Sequence, residues 1–412
     1  MSEFFRQTLE NGLTIHVETM PDVSSAAAGF LVRTGARDET ASLAGVSHFL
    51  EHMCFKGTPR RPWQQITIDF DRMGSTYNAF TSKERTFYFG WVRRDDLDRQ
   101  VELLADMMES ILPPDEFDTE KKVVLEEIAM SDDQIDRHLY DLVHEKVFAG
   151  SPLAWPVLGT SQTVSDMTRE QMHDYFSQRY NPANMVLVAA GAVSPDDVVA
   201  SAQRHCGHWT ARGARPPRRP PAFSPGGTAV ARLDRFKQQA LALVYPAPSA
   251  VDPADETAEA LASILGGQNS RFFWNIVQAG IAPVASAYRI DYCDNGLMLL
   301  FGFCEPPNCE RLIDAMQREV DKVIREGVTD DEVQRVKNRR RTALATEGEA
   351  PYHRLMQLAH DVDMFGRPRS VSERLAAVDA VTADGVRDYL KRWPMNEQPW
   401  LISVGPRSWP NQ

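Results

Sequence analysis

Short apolar runs that alternate with polar residues, bounded by Gly, Pro, Asn and Asp, recur along the chain and predict β-strands. They occur in pairs in both halves of the sequence, separated by segments with the spacing of amphipathic helices. The predicted strands are Leu13–Val17, Ala27–Arg33, Tyr77–Ser82, Thr86–Val92, Ala229–Leu233, Ala240–Tyr245, Ala285–Tyr292 and Leu297–Phe303. The longest predicted helix runs from about Asp115 to Phe148. This pattern is typical of an α+β fold.

The same order of elements occurs twice, which predicts a duplicated chain. Late in each half, a helix that opens on a Thr contains an Asp-Tyr pair (Asp174-Tyr175 and Asp388-Tyr389) and leads into an apolar strand. Between the halves, residues 210–227 are rich in Pro, Arg and Gly, which favours an extended linker. We therefore predict homologous domains over 1–209 and 228–412, each a mostly antiparallel sheet with helices packed on one face.

Composition agrees with a two-domain globular protein, and the net charge bears on which classes of partner it can bind. The chain has 412 residues, of which 43% are hydrophobic and 25% charged, and its net charge of −12 argues against a general nucleic-acid binder. Five cysteines without C-x-x-C spacing predict reduced, mostly buried thiols. The longest apolar stretch, Met185–Val193, is too short to cross a membrane. The first residues lack targeting features, so we expect a cytoplasmic protein, or a periplasmic or mitochondrial-matrix one if a targeting segment was removed.

The string His48-Phe49-Leu50-Glu51-His52 is the main candidate for chemistry. Two histidines four residues apart lie one turn apart on one helix face, so both imidazoles can bind one metal ion. Glu51 lies between them in sequence, close enough to hold a water on that metal. The order H-x-x-E-H is the reverse of the commoner H-E-x-x-H zinc-protease signature. A catalytic zinc site also needs a third protein ligand and leaves a fourth position open for water.

The long predicted helix is the natural source of that third ligand. Glu120 and Glu127 are two helical turns apart and so share a face, whereas Glu126 points about 100° away. A lone acidic residue on a helix usually belongs to a solvated surface. Here the histidine motif requires a further ligand such as a carboxylate, so an acid on this helix is better interpreted as a metal ligand than as a solvated surface residue.

Together these segments resemble the zinc motif of the pitrilysin/insulinase family, also called inverzincins. The H-F-L-E-H string continues as M-C-F-K-G-T, Glu127 follows at the distance where that family places its third ligand, and Glu120 matches the first residue of its E-x6-E pair. The segment Tyr77–Ser82 is similar to the family's substrate-binding edge strand. Length, duplication and linker resemble the half-size branch, which includes bacterial processing peptidases and the subunits of the mitochondrial processing peptidase.

The resemblance implies a zinc-dependent peptidase with one Zn²⁺ per chain. His48, His52 and Glu127 would bind the metal. Glu51 would be the general base, taking a proton from a zinc-bound water and passing it to the leaving amine. Glu120 would assist catalysis by orienting a ligand histidine or adding negative charge.

The resemblance also implies how substrate binds. Asn78, Ala79, Phe80 and Thr81 would pair with the substrate backbone, which would join the sheet as an added strand. This mode of binding favours extended or unfolded peptides over folded proteins.

One part of the family pattern is missing. The family has an Arg and a Tyr in its C-terminal domain, usually in a segment of the type S-R-L-F-x-x-[IL]-R-x-x-x-G-x-x-Y, which hold the substrate carbonyl. In the matching segment, residues 270–283, Val277 stands at the Arg position and Pro283 at the Tyr position. Losing one oxyanion donor typically costs about 10²–10³ in turnover. The resemblance therefore implies a heterodimer in which a homologous subunit supplies the Arg/Tyr pair, in preference to a homodimer.

The second half has lost the metal chemistry. Its counterpart of the motif helix, around Ser263–Ile276, contains no histidine, and its counterpart of the Glu127 helix carries the basic run Lys337–Arg341. Such a run could bind nucleic acid, but a solvated or partner-facing helix face explains it more simply.

Two other interpretations remain open. Some family members are non-catalytic structural subunits of larger assemblies, although these usually lose zinc residues that this chain keeps. The string Arg204-His205-Cys206-Gly207-His208 could form a second metal site, but polar residues at a helix end before a linker explain it more simply.

Overall fold

The computed structural model of the chain describes residues 3–212 and 217–410, in which strands form two sheets with helices packed against them. The strands are β1 (Glu3–Thr8), β2 (Thr14–Thr19), β3 (Ser25–Val32), β4 (Thr76–Thr81), β5 (Thr86–Arg93), β6 (Met185–Gly191), β7 (Thr228–Arg232), β8 (Gln239–Ala247), β9 (Val284–Asp291), β10 (Gly296–Cys304) and β11 (Trp400–Gly405). The helices are α1 (Val46–Cys54), α2 (Trp63–Met73), α3 (Leu97–Met107), α4 (Pro114–Asp132), α5 (Ile135–Val147), α6 (Ser161–Asp166), α7 (Arg169–Arg179), α8 (Pro195–Cys206), α9 (Asp255–Gly266), α10 (Cys309–Glu326), α11 (Asp330–Glu347), α12 (Pro351–Phe365), α13 (Val371–Asp379) and α14 (Ala383–Arg392).

The first compact unit comprises Met1–Ala129, Trp155–Arg219 and Ala345–Ser370. Its sheet has the strand order β1-β2-β6-β3-β5-β4. Neighbouring strands are antiparallel except β2 and β6, which are parallel. The central strands β3 and β6 are buried almost throughout, whereas β4 lies at an edge of the sheet.

The second compact unit comprises Met130–Ala154, Pro220–Leu344 and Val371–Gln412. Its sheet has the order β7-β11-β8-β10-β9, again with one parallel pair, β7 and β11. Strand for strand, this order matches β2-β6-β3-β5-β4 of the first unit, including the place of the parallel pair. The predicted α+β fold of two homologous, mostly antiparallel sheets is therefore confirmed.

The prediction that helices cover one face of each sheet was incomplete. In the first unit α1, α3 and α8 pack on one face, and α12 covers the other with Leu355, Leu358 and Val362. In the second unit α9, α10 and α14 pack on one face, and α5 covers the other. The reason is visible in β3 and β6, whose near-continuous apolar sequences present hydrophobic side chains on both faces.

The single long helix predicted from Asp115 to Phe148 was wrong. It is two helices, α4 and α5, and Gln134 between them has an extended backbone. The break separates a helix that belongs to the first unit from one that packs on the second sheet.

The compact units are also discontinuous in sequence, since each includes a helix from the other half, whereas the predicted domains follow the sequence. Residues 213–216 of the predicted linker lie outside the described residues.

The predicted Thr caps are confirmed: the hydroxyls of Thr168 and Thr382 accept backbone N–H groups at the starts of α7 and α14. Among the described residues, no helix combines the length and apolarity that crossing a bilayer requires.

Candidate metal centre

Helix α1 carries His48, Glu51 and His52, and its local sequence determines how it is held. The side chains that anchor it in the core are those of Val46, Phe49, Leu50 and Met53. Gly45 precedes the helix with a φ of 95°, and a Cβ at this position would lie 2.6 Å from the carbonyl oxygen of Leu158. The start of the helix therefore requires glycine.

A carboxylate from upstream caps this helix. The two side-chain oxygens of Glu39 accept the backbone N–H groups of Gly45 and Ser47, each at 2.8 Å. Glu39 is buried, and burial raises its pKa to about 7 even though both N–H groups favour the charged form. Sequence reasoning missed Glu39 because it lies outside the usual spacing of a helix cap.

Replacing Glu39 with Gln is expected to remove a pH dependence of stability. The folded-state pKa of about 7 lies above the ordinary value of 4.5, so the stabilisation is complete below about pH 4.5 and is lost as the pH rises through about 7. Gln does not titrate. From about pH 5 to about pH 8 the variant should therefore gain on the order of 3 kcal/mol relative to wild type. Thermal melts of both chains across this range measure the difference, and parallel curves would contradict the expectation.

The structure brings His48, His52 and Glu127 together. The Nε2 atoms of the two histidines lie 3.7 and 3.6 Å from Oε2 of Glu127, and the possible ligand atoms all lie within 4.8 Å of one another. Bonds of 2.0–2.1 Å in a tetrahedral zinc site would place ligand atoms about 3.3 Å apart. Two imidazole nitrogens and one carboxylate oxygen at these separations therefore fit Zn²⁺, and three ligands leave a fourth position for a water or a substrate.

Glu120 reaches the same centre through His52. Its Oε1 accepts a hydrogen bond from Nδ1 of His52 at 2.8 Å, and its Oε2 lies 2.6 Å from Nζ of Lys56. Burial works to raise the pKa of Glu120, but these two partners outweigh it and the pKa is lowered. A charged Glu120 keeps the proton of His52 on Nδ1 and leaves Nε2 free for a metal. Glu120 therefore orients His52, one of the candidate metal ligands.

Replacing Glu120 with Ala is expected to weaken zinc binding about 10–100-fold, because His52 would lose the group that fixes its tautomer and orientation. Competition with a chromophoric chelator measures the affinity. Glu126→Ala is the matched control, since Glu126 is an exposed acid on the same helix. Equal affinities for the two variants would contradict the role given to Glu120.

Glu51 lies beside the candidate metal ligands and contacts the edge strand β4. Its Oε2 accepts a hydrogen bond from the Thr81 hydroxyl at 2.6 Å. Burial raises the pKa of Glu51, and the Thr81 hydroxyl partly opposes that rise. The hydrogen bond occupies one carboxylate oxygen and orients the other, so Glu51 can accept a proton at that atom.

The residues predicted to bind substrate lie on β4. Asn78, Ala79, Phe80 and Thr81 pair with β5 on one side, and the other side of the strand is the edge of the sheet among the described residues. The backbone N–H of Ala79 donates to Oδ1 of Asn78 at 2.8 Å. A peptide that uses this N–H would have to displace the Asn78 side chain.

Arg218, a residue of the predicted linker, binds two acidic side chains on separate segments of the first unit, Asp38 and Glu84. Its guanidinium donates to both carboxylate oxygens of Asp38 at 3.0 and 2.5 Å, and to Oε1 of Glu84 at 3.1 Å. Glu84 lies in the turn between β4 and β5 and also accepts from Arg37 at 2.6 Å. The side chain of Arg218 is only 8% exposed. Part of the predicted linker is therefore anchored on the unit that holds the candidate metal ligands.

The other cysteine and histidine candidates have structural roles. Cys54 is buried, and burial raises its pKa to about 12. At the end of α8, His205 and His208 contact carboxylates, Oδ1 of Asp98 at 3.2 Å and Oε1 of Glu109 at 3.0 Å. These contacts are ordinary polar pairs, as the simpler interpretation of that string expected.

The chain is similar to known proteins over most of its length. Residues 14–161 match the family described as "Insulinase (Peptidase family M16)", and residues 166–340 match the description "Peptidase M16 inactive domain". An uncharacterized zinc protease of Mycobacterium bovis is 35% identical over 92% of this chain and 88% of its own length. The uncharacterized zinc protease YmxG of Bacillus subtilis is 30% identical over 97% of this chain and 98% of its own length. The crystal structure of a Helicobacter pylori protease has the same fold, with a TM-score of 0.91 and 21% identity over 98% of this chain and 100% of that one.

Proposed function

Because the chain belongs to the insulinase family of peptidases (family M16), we propose that it is a zinc-dependent endopeptidase acting as the metal-bearing subunit of a two-chain peptidase. The observation that carries the proposal is the convergence of His48, His52 and Glu127 beside Glu51. That arrangement is the donor set of a catalytic zinc site with a base next to it.

The residues around the centre have separate tasks in peptide hydrolysis. Bound Zn²⁺ supplies Lewis acidity, which polarises a carbonyl and lowers the pKa of water towards about 7. Glu51 takes the proton from the attacking water at its free oxygen and delivers it to the departing amine. Thr81 holds Glu51 in the orientation for both transfers, and Glu120 holds His52.

The substrate class follows from the edge strand. A segment that adds to β4 must be extended over several residues, because each backbone hydrogen bond requires strand geometry. Thr81 belongs to β4 and contacts Glu51, so an added strand would run past the catalytic base. Extended or unfolded peptides are therefore the substrates we propose.

The two-chain proposal rests on Val277 and Pro283. Val277 packs partly buried against the core of the second unit, and neither side chain can donate a hydrogen bond to a developing oxyanion. A homologous subunit with an Arg and a Tyr at these positions would supply the missing donors. The chain itself would contribute one Zn²⁺.

Metal analysis and a mixing assay test the proposal together. The purified chain should contain one equivalent of zinc and hydrolyse a fluorogenic peptide poorly, and addition of a homologous chain with Arg and Tyr should raise turnover about 10²-fold or more. Full activity of the lone chain would refute the two-chain arrangement and keep the peptidase. Absence of bound zinc and of activity in both samples would favour the alternative, a non-catalytic structural subunit.

A further inference from the structure

The second unit has a different surface where the first holds its metal ligands. Helix α9 follows β8 as α1 follows β3, and α11 follows α10 as α4 follows α3. Two adjoining cavities of about 180 and 250 Å³ lie along α9 and α11 and share Ser263, Val336 and Arg339. Three residues of the basic run seen in the sequence, Lys337, Arg339 and Arg340, therefore line these half-open cavities.

Most cations on α11 are already paired. Arg341 lies 2.6 Å from Oδ1 of Asp379, and Arg335 lies 2.9 Å from Oδ2 of Asp331. Arg339 differs: among the described residues no acidic group forms a hydrogen bond or an ion pair with it, although it lines both cavities. Burial and the neighbouring Arg335 lower the pKa of Arg339. An anion beside Arg339 would offset both effects.

The larger cavity is also lined by an arginine that pairs with an acid and by an exposed tryptophan. Arg271 binds Glu332 through two hydrogen bonds of 2.7 and 2.9 Å, yet its Nη1 is buried without a hydrogen-bond partner among the described residues. Trp274, in the π-helical turn Phe273–Val277, lines the same cavity and is 54% exposed. The lining therefore combines the guanidinium of Arg339 with an exposed indole.

The charge of this lining is opposite to that of the whole chain. Arg271, Arg335 and Arg339 line the larger cavity. Glu332 pairs with Arg271 and Asp331 pairs with Arg335, so the charge of Arg339 is the surplus there, whereas the protein carries a net charge of −12. A local positive surplus inside an acidic protein attracts anions and discriminates against cations.

We propose that this cavity is a binding site for a small oxyanion, a carboxylate or a phosphate, carried on an apolar group. The guanidinium of Arg339 binds the oxyanion, since its planar donors match carboxylate and phosphate oxygens in pairs. The indole of Trp274 packs against the apolar group. The cavity volume limits the ligand to a small molecule or to the last residue of a peptide.

Titration of the full chain with three probes tests the site and its source of oxyanion. The probes are inorganic phosphate, phenyl phosphate and N-acetylphenylalanine, whose carboxylate imitates a peptide C-terminus. Binding is followed by calorimetry and by tryptophan fluorescence, with Trp274→Phe assigning the signal among the eight tryptophans. We expect phenyl phosphate or N-acetylphenylalanine to bind more tightly than phosphate, and the tighter of the two identifies the source.

Two arginine variants decide whether Arg339 is responsible. Arg339→Gln should weaken binding about tenfold or more, and Arg339→Lys should recover only part of the loss, because Lys keeps the charge without the paired donors. Arg325→Gln is the matched control on α10, with a side chain 70% exposed and outside both cavities. Absence of millimolar binding by every probe, or equal losses in Arg339→Gln and Arg325→Gln, would overturn the proposal. Neither result depends on peptidase activity.

Discussion

Replacing Glu51 with Gln is expected to lower kcat for peptide hydrolysis by about 10³-fold or more while one equivalent of zinc stays bound. General acid-base catalysis typically contributes about 10²–10⁴-fold, and in the proposed mechanism Glu51 performs both proton transfers. Gln keeps the size of the side chain and can accept the hydrogen bond from Thr81. It cannot take a proton from water, so chemistry is lost while the site keeps its shape.

Zinc content by mass spectrometry and turnover of a fluorogenic peptide measure the two parts of this expectation. The assay uses whichever form is active, the lone chain or the mixed pair. Glu126→Gln is the matched control, since Glu126 is an exposed acid on α4 next to the candidate ligand Glu127 in sequence. Residual turnover near that of wild type would show that Glu51 is not the base. Loss of zinc would show instead that the substitution damages the metal centre.

Sequence reasoning was effective where chemistry is encoded locally. His48, Glu51 and His52 share one helix, and Glu120 and Glu127 share another, so helical spacing alone places them on common faces. Placing the second pair beside the first required a family resemblance, because spacing within a helix says nothing about which helices meet. Duplication was likewise readable, because each copy repeats the same order of strands.

Long-range contacts were the part that could not be read from the sequence. The cap that Glu39 forms on α1 depends on how the loop between Glu39 and α1 folds back, and no local sequence pattern predicts that contact. The break between α4 and α5 was hidden because both segments keep helical periodicity while they pack in different units. The contacts of Arg218 could not be predicted either, because a Pro- and Arg-rich segment predicts an extended chain and does not indicate what that chain contacts.

That hidden contact leads to the largest expected loss of stability. Arg218→Ala should lower the free energy of unfolding by about 3–5 kcal/mol, because it removes the guanidinium that binds both oxygens of the buried Asp38 carboxylate and leaves Arg37 alone to neutralise Glu84. Arg219→Ala is the matched control: Arg219 is exposed, and its contact with Arg37 uses a backbone carbonyl that Ala retains. Urea unfolding measures both variants, and equal midpoints would contradict the expectation.

Glu84 lies in the turn that follows β4, so loss of its contact with Arg218 should also loosen that turn. Hydrogen exchange of the turn should therefore rise in Arg218→Ala but not in Arg219→Ala. A rise of exchange there would connect the linker to the strand that orients Glu51, which a purely global loss of stability would not do.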